Sequence, residues 1–194
     1  MKKLSREKLL KLMTAFCSDD ETRPELRGIY FDPDRPWAVA TDGFGMATSG
    51  KDGLYDPALA GLTIDPRTMS VIRKGFPKWA TIFPLKLNQD RFSKLNIDKG
   101  LGRSFIKARK FGFEKTISGH RPVVLSYDPL EPQPEWAYSG EVILPMFEFL
   151  GGRDDVMHCI YSVDEAPRLA IRTPQVEMLF MPRRNSLYED GGGK

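Results

Sequence analysis

One stretch, Arg23 to Ala47 (RPELRGIYFDPDRPWAVATDGFGMA), constrains the fold more than any other part of the 194-residue chain. Two apolar runs, 26–31 and 37–41, flank the turn cluster Asp32-Pro33-Asp34-Arg35-Pro36. Both runs are rich in aromatic and β-branched residues, which predicts strand–turn–strand. A second turn, Thr41-Asp42-Gly43, leads into a third run over 44–48. A helix cannot accommodate two such turn clusters in so short a span, so this part of the chain is antiparallel sheet.

The preceding segment, residues 5–17 (SREKLLKLMTAFC), has helical periodicity. Ser5 suits an N-cap. Leu9, Leu12, Met13 and Phe16 form a stripe that Leu10 and Cys17 widen, while Glu7, Lys8, Lys11 and Ala15 fall on the other side. Such lysines suit either an ordinary solvated face or a phosphate-facing one. Beyond the central stretch, Leu62-Thr63-Ile64 reads as a strand and Asp65-Pro66 as a helix start. Residues 67–74 then read as a short helix stopped by Gly75-Phe76-Pro77, and Thr81-Ile82-Phe83 as another strand.

Residues 86–121 differ in composition. Ten Lys or Arg face three acids, a net +7 within a chain whose total is +3, and Phe92, Phe105, Phe111 and Phe113 are interleaved with them. Basic residues among aromatics suit phosphate neutralisation with base stacking. They suit equally an edge hairpin with rings inward and charges outward. Residues 126–139 hold three prolines and three acids and no basic residue, and read as a stiff connector. A second structured unit follows: a strand over 141–144, a short helix opened by Pro145 and stopped by Gly151-Gly152, and strands over 156–163, 168–172 and 176–181. The residues after Asn185 read as a tail.

The two ends echo each other. Ile29-Tyr30, a turn and Pro36 reappear as Ile160-Tyr161, a turn and Pro167, at a constant offset of 131 residues. In each case a helix precedes the unit and a third strand follows. Residues 1–50 therefore read as helix–strand–strand–strand, with 1–4 as a leading strand. Residues 141–182 repeat that order, and two such units pair their sheets with both helices on one side.

A hydrophobic content of 41% supplies a core and excludes a disordered chain. The opening MKKLSREKLLKL lacks the continuous apolar stretch of a signal peptide, and no run spans a bilayer. The expected location is cytoplasmic, or the host cytoplasm if the chain is viral. Cys17 and Cys159, far apart in apolar surroundings, read as buried thiols in a reducing compartment. The two histidines are His120 and His158, and no second ligand lies at metal spacing. With no phosphate-cradling Gly-Lys-Ser/Thr loop and no nucleophile, base and orienter to assemble, the expectation is a non-enzyme with no cofactor and no metal.

On these residues the central stretch resembles the bacterial sliding clamp, the β subunit of the replicative DNA polymerase. Clamps carry a helix, an R-x-x-L-x-G strand and a V-A-T-D-G turn before an apolar strand. Here these are Arg23, Leu26 and Gly28, then Val39-Ala40-Thr41-Asp42-Gly43. The strand–Pro–helix wording of 141–150 and the ending Leu179-Phe180-Met181-Pro182-Arg183 also match. The resemblance implies an α+β DNA-clamp fold of repeated β-α-β-β-β units, with helices on one face of antiparallel sheets. The organisation it suggests is a first clamp-like half at 1–75 and a basic, aromatic insertion or degenerate strands plus connector at 76–140. A second half follows at 141–183 and a flexible tail at 184–194.

The resemblance further implies a processivity factor of DNA replication, with a phage-encoded clamp-like protein as one reading of its source. It would encircle or contact duplex DNA without sequence specificity and tether a DNA polymerase or other replication protein. Clamp rings hold six domains, so two domains per chain imply a homo-oligomeric trimer, and one a hexamer or no ring. The DNA-contact candidates are Lys8, Lys11, Arg67, Arg73, Lys74, Lys107, Arg109 and Lys110. The partner-peptide pocket carried over from the clamp motif comprises Arg23, Leu26, Thr41, Gly43, Phe44 and Gly45. Clamps have His-Arg where this chain has Phe44-Gly45, which makes the site more apolar: either a pocket for a different peptide or only packed core. A rival reading is a clamp-derived adaptor that binds replication proteins or another clamp without forming a ring. It rests on residues 175–180, QVEMLF, which resemble the Q-x-x-L/M-x-F peptide of clamp partners.

Overall fold

A computed structural model describes residues 3–74, 76–81, 93–94, 122–123, 136–139, 146, 149–151, 153–163, 166–181 and 183–184. Helix α1 (Arg6–Thr14) begins at Ser5, whose side chain accepts from the Lys8 amide at 3.3 Å. It buries Leu9, Leu12 and Met13, with Phe16 just beyond its end. Three strands follow: β1 (Ile29–Phe31), β2 (Ala38–Thr41) and β3 (Gly45–Ser49). A hairpin, β4 (Leu62–Ile64) and β5 (Val71–Lys74), adds to the side of β1. Short strands β6 (Ser93–Lys94), β7 (Pro122–Val123) and β8 (Trp136–Ser139) come next. The C-terminal set is β9 (Met157–Val163), β10 (Ala166–Arg172), β11 (Val176–Phe180) and β12 (Arg183–Arg184).

Among the described strands, nine form one antiparallel sheet ordered β5-β4-β1-β2-β3-β11-β10-β9-β6, and three form a second, β12-β8-β7. The third strands of the two units, β3 and β11, meet in the middle. They occupy 45–49 and 176–180, the same 131-residue offset seen in the sequence. At that offset Gly45 faces Phe180, Ala47 faces Met178 and Ser49 faces Val176, so a local pseudo-two-fold axis passes through the seam between the two strands.

Directly opposed residues share a face. The inner face carries Ala40, Ala47, Met178 and Ile171 in one row and Phe31, Ala38, Ser49 and Val176 in another. α1 packs on this face, as do the helical residues Met146 and Leu150, and together they form the main core. The Phe16 and Phe180 rings lie 5.7 Å apart within it. The outer face carries Thr41, Met46 and Leu179 in one row and Tyr30, Val39, Thr48, Glu177 and Arg172 in the next. Val39, Met46, Leu179 and Trp79 form a second, smaller core there. Gly28, at the entry to β1, admits no side chain: a Cβ would stand 2.6 Å from the Ile64 carbonyl oxygen.

Several expectations need correction. Residues 67–74 are not a helix but the turn and second strand of a hairpin. Asp65 Oδ1 accepts from the Arg67 amide at 2.8 Å, Asp65 O accepts from Met69 N at 2.8 Å, and Met69 takes φ +58°. The Asp65 side-chain bond favours a turn, and the left-handed Met69 stops the chain after the single i→i+4 backbone bond instead of letting a helix continue. Residues 79–81 form a 3-10 turn, not the start of a strand, and 82–83 lie outside the described residues. Leu4 is not in a strand; its amide donates to Gln175 Oε1 at 2.6 Å. Pro24–Leu26 is a 3-10 turn, so β1 starts later than the apolar run does. The strand expected at 141–144 lies outside the described residues, as does the basic 86–121 segment apart from β6.

Candidate functional site: an outer-face pocket and a basic helix

The Thr41-Asp42-Gly43 turn is held by its own side chains. Asp42 Oδ1 accepts from the amides of Phe44 and Gly45 at 2.7 and 2.8 Å. The Thr41 hydroxyl donates to Gly45 O at 2.6 Å and accepts from Gly43 N at 3.1 Å. Gly43 sits at φ +93°, where side chains are disfavoured. The turn thus closes tightly over the end of β2 and β3.

Beside it, on the outer face, is a cavity of about 210 Å³. Thr41, Met46 and Leu179, the row across β2, β3 and β11, make its base. Leu26, Gly43 and Gly45 close one side, and Met181 extends the base beyond β11. Phe76, Pro77 and Trp79 supply the remaining wall. Among the described lining residues the polar side-chain groups are the Thr41 hydroxyl and the Trp79 indole N–H, both already engaged, so the cavity is apolar in character.

Of the six pocket residues suggested by the sequence, Leu26, Thr41, Gly43 and Gly45 line this cavity. Arg23 stands at the rim: its guanidinium is 3.6 Å from where a Cβ on Gly43 would lie, and it pairs with Asp20 at 3.7 Å. Phe44 is half-buried and outside the lining; its carbonyl accepts from Met181 N at 2.8 Å, tying the turn to the end of β11. Sequence reasoning missed Met46, Phe76, Pro77, Trp79, Leu179 and Met181. Strand alternation places Met46 on the face of Thr41, but only the β3–β11 register adds Leu179 and Met181.

The candidate DNA contacts divide. Lys8 and Lys11 are exposed together on α1, away from the sheet. Lys11 pairs with Glu7 at 3.0 Å in an exposed i,i+4 contact of small energetic weight. Arg67 is exposed near the C-terminal end of α1 and pairs with Asp19 at 3.1 Å. Arg73 and Lys74 lie on β5, the outermost described strand on its side of the sheet. Lys107, Arg109 and Lys110 lie outside the described residues. Cys17, half-buried beside Arg67, is a free thiol that burial pushes up to about 12; Arg67 opposes the shift, and Asp65, Asp19 and Asp42 add to it. Among the described residues there is no group of three or more His, Cys, Asp or Glu placed to hold a metal ion. No helix among them is long and apolar enough to cross a membrane.

No protein-family model and no curated protein matches this chain. Solved structures do. The DNA polymerase sliding clamp of Bacillus subtilis is 16% identical, with a TM-score of 0.59 over 92% of this chain and 62% of that one. The sliding clamp of Caulobacter crescentus is 16% identical, with a TM-score of 0.59 over 94% and 65%. The Helicobacter pylori β clamp, solved bound to a DNA ligase peptide, is 13% identical, with a TM-score of 0.57 over 92% and 63%. The chain therefore has the fold of the bacterial sliding clamps, and it spans less than two thirds of the length of each of these three. Residues 176–180 of the QVEMLF segment form β11, paired on both sides by β3 and β10. A strand so placed is not free to dock as an extended peptide, which removes the sequence support for the adaptor reading.

Proposed function

We propose that this protein is a clamp-like, non-enzymatic processivity factor that contacts duplex DNA through phosphates and tethers a DNA polymerase or another replication protein. One observation carries the reading: a single sheet separates a helix with exposed Lys8 and Lys11 from an apolar pocket on its opposite face. DNA and a partner peptide can then be held at once, without competing for surface. Lysines on an exposed helix face suit weak, sequence-independent, salt-sensitive contacts that permit sliding. The pocket suits a short peptide with apolar anchor side chains, with Arg23 at the rim.

The span of 62 to 65% of a solved clamp chain supports two clamp domains in this one. With six domains to a ring, the assembly proposed is a homotrimer. The side of β5, the outermost described strand there, beside which Met69 and Val71 are exposed, is the surface we assign to a second copy. Mass measurement in solution, with and without DNA, tests the proposal. A trimer retained on circular but not on linear duplex supports it. A strict monomer that ignores duplex DNA at low salt would sink it.

A further inference from the structure

Two sides of the outer-face pocket belong to the sheet and its turns. The third, formed by Phe76, Pro77 and Trp79, comes from a segment outside any described strand. Its placement depends on what holds it. The Phe76 ring stacks on Tyr30 with centroids 5.1 Å apart and planes 4° from parallel. The Trp79 indole Nε1 donates to Asp32 Oδ2 at 2.7 Å. Arg35 lies over the Trp79 ring at 5.7 Å from its centroid.

Asp32 is buried, and its carboxylate joins two structures. Oδ1 accepts from the amides of Asp34 and Arg35 at 2.8 and 3.0 Å and so shapes the β1–β2 turn. Oδ2 holds the indole. A charge-assisted bond in a buried setting is a strong and directional tether. The lining's hydroxyl, on Thr41, is already engaged, so affinity for a guest comes from apolar contact and shape. A wall fixed in advance spares the cost of ordering it on binding.

We propose that Asp32 is the positioning residue of this pocket: by holding the Trp79 wall, it sets the affinity for an apolar peptide anchor. The proposal rests on the pocket being the partner-docking site. Asp32→Asn is a focused test. The amide oxygen can keep both turn bonds while its NH₂ meets the indole N–H, donor against donor. The probe is a fluorescein-labelled peptide with the sequence of residues 175–180, Gln-Val-Glu-Met-Leu-Phe.

Asp32→Asn and Trp79→Phe are each expected to raise the peptide Kd about tenfold, at temperatures where both variants remain folded. The double variant should be no weaker than either single one, because both remove the same bond. The indole N–H resonance of Trp79 should shift in Asp32→Asn before any peptide is added. Wild-type affinity in Asp32→Asn, against a wild type that binds, overturns the proposal and leaves the docking reading standing. A wild type that does not bind the peptide overturns both.

Discussion

Ala47 lies directly opposite Met178, its own counterpart at the 131-residue offset, and both are fully buried on the inner face. The pseudo-two-fold axis passes between them. The two units therefore meet at the centre of one sheet, with α1 and the core residues Met146 and Leu150 covering its inner side.

That seam should tolerate little change of volume. Met178→Ala is expected to cost about 2–5 kcal/mol by leaving a cavity. Ala47→Leu is expected to cost about 1–3 kcal/mol by overpacking. Urea unfolding monitored by circular dichroism checks both, and the reading fails if either variant is as stable as wild type.

Thr41 links the turn to the pocket base. Thr41→Val keeps the shape but removes the hydroxyl that bridges Gly45 O and Gly43 N. A loss of about 1–3 kcal/mol is expected from the unsatisfied groups. Peptide affinity should fall with it, because Gly43 and Gly45 line the cavity. Thermal unfolding and fluorescence anisotropy measure the two effects separately.

Lys8 and Lys11 are the proposed phosphate contacts. Replacing both with Ala should weaken duplex binding equally for unrelated sequences and reduce the slope of log K against log salt by about 1.8. An unchanged salt slope would remove α1 from the DNA surface.

Val71 sits on the β5 edge and is 55% exposed. Val71→Lys places a charge where a second copy would pair, a common means of blocking edge association. Sedimentation should show a lower mass with an unchanged circular dichroism spectrum. A variant that assembles as wild type does would move the copy–copy contact elsewhere.

Cys17 gives stability a dependence on alkaline pH. Burial raises its folded value to about 12, above the ordinary 9.0. The folded chain then keeps a proton that the unfolded chain releases. The contribution is full below about pH 9 and is lost as pH climbs towards 12. Cys17→Ala should therefore lose stability less steeply than wild type across that range. In the native wild type the thiol should resist disulfide-exchange reagents until the protein unfolds.

Much of the fold could be read from local patterns. The stripe Leu9, Leu12, Met13 and Phe16 marks α1 because its period matches the buried face. The Thr41-Asp42-Gly43 turn is equally legible, since the side-chain bonds of Thr41 and Asp42 that shape it lie within four residues. Residues 67–74 misled because Asp65-Pro66 suits a helix start and Gly75-Phe76-Pro77 a helix stop. The Asp65 side chain captured the backbone amides of Arg67 and Thr68 and turned the chain into a hairpin instead.

The chain's sequence by itself determined the two strand-rich units, their shared offset and the turn that overlies the pocket. These follow from propensity, periodicity and short-range hydrogen bonds. Only the tertiary structure decided that β3 pairs with β11 and that Met46, Leu179 and Trp79 converge on one cavity. It also placed that cavity on the face opposite Lys8 and Lys11. Those relations depend on sheet register between distant segments and on one buried carboxylate binding an indole 47 positions away. Long-range pairing leaves no periodic trace in either partner, because its energy comes from the contact and not from the residues taken singly.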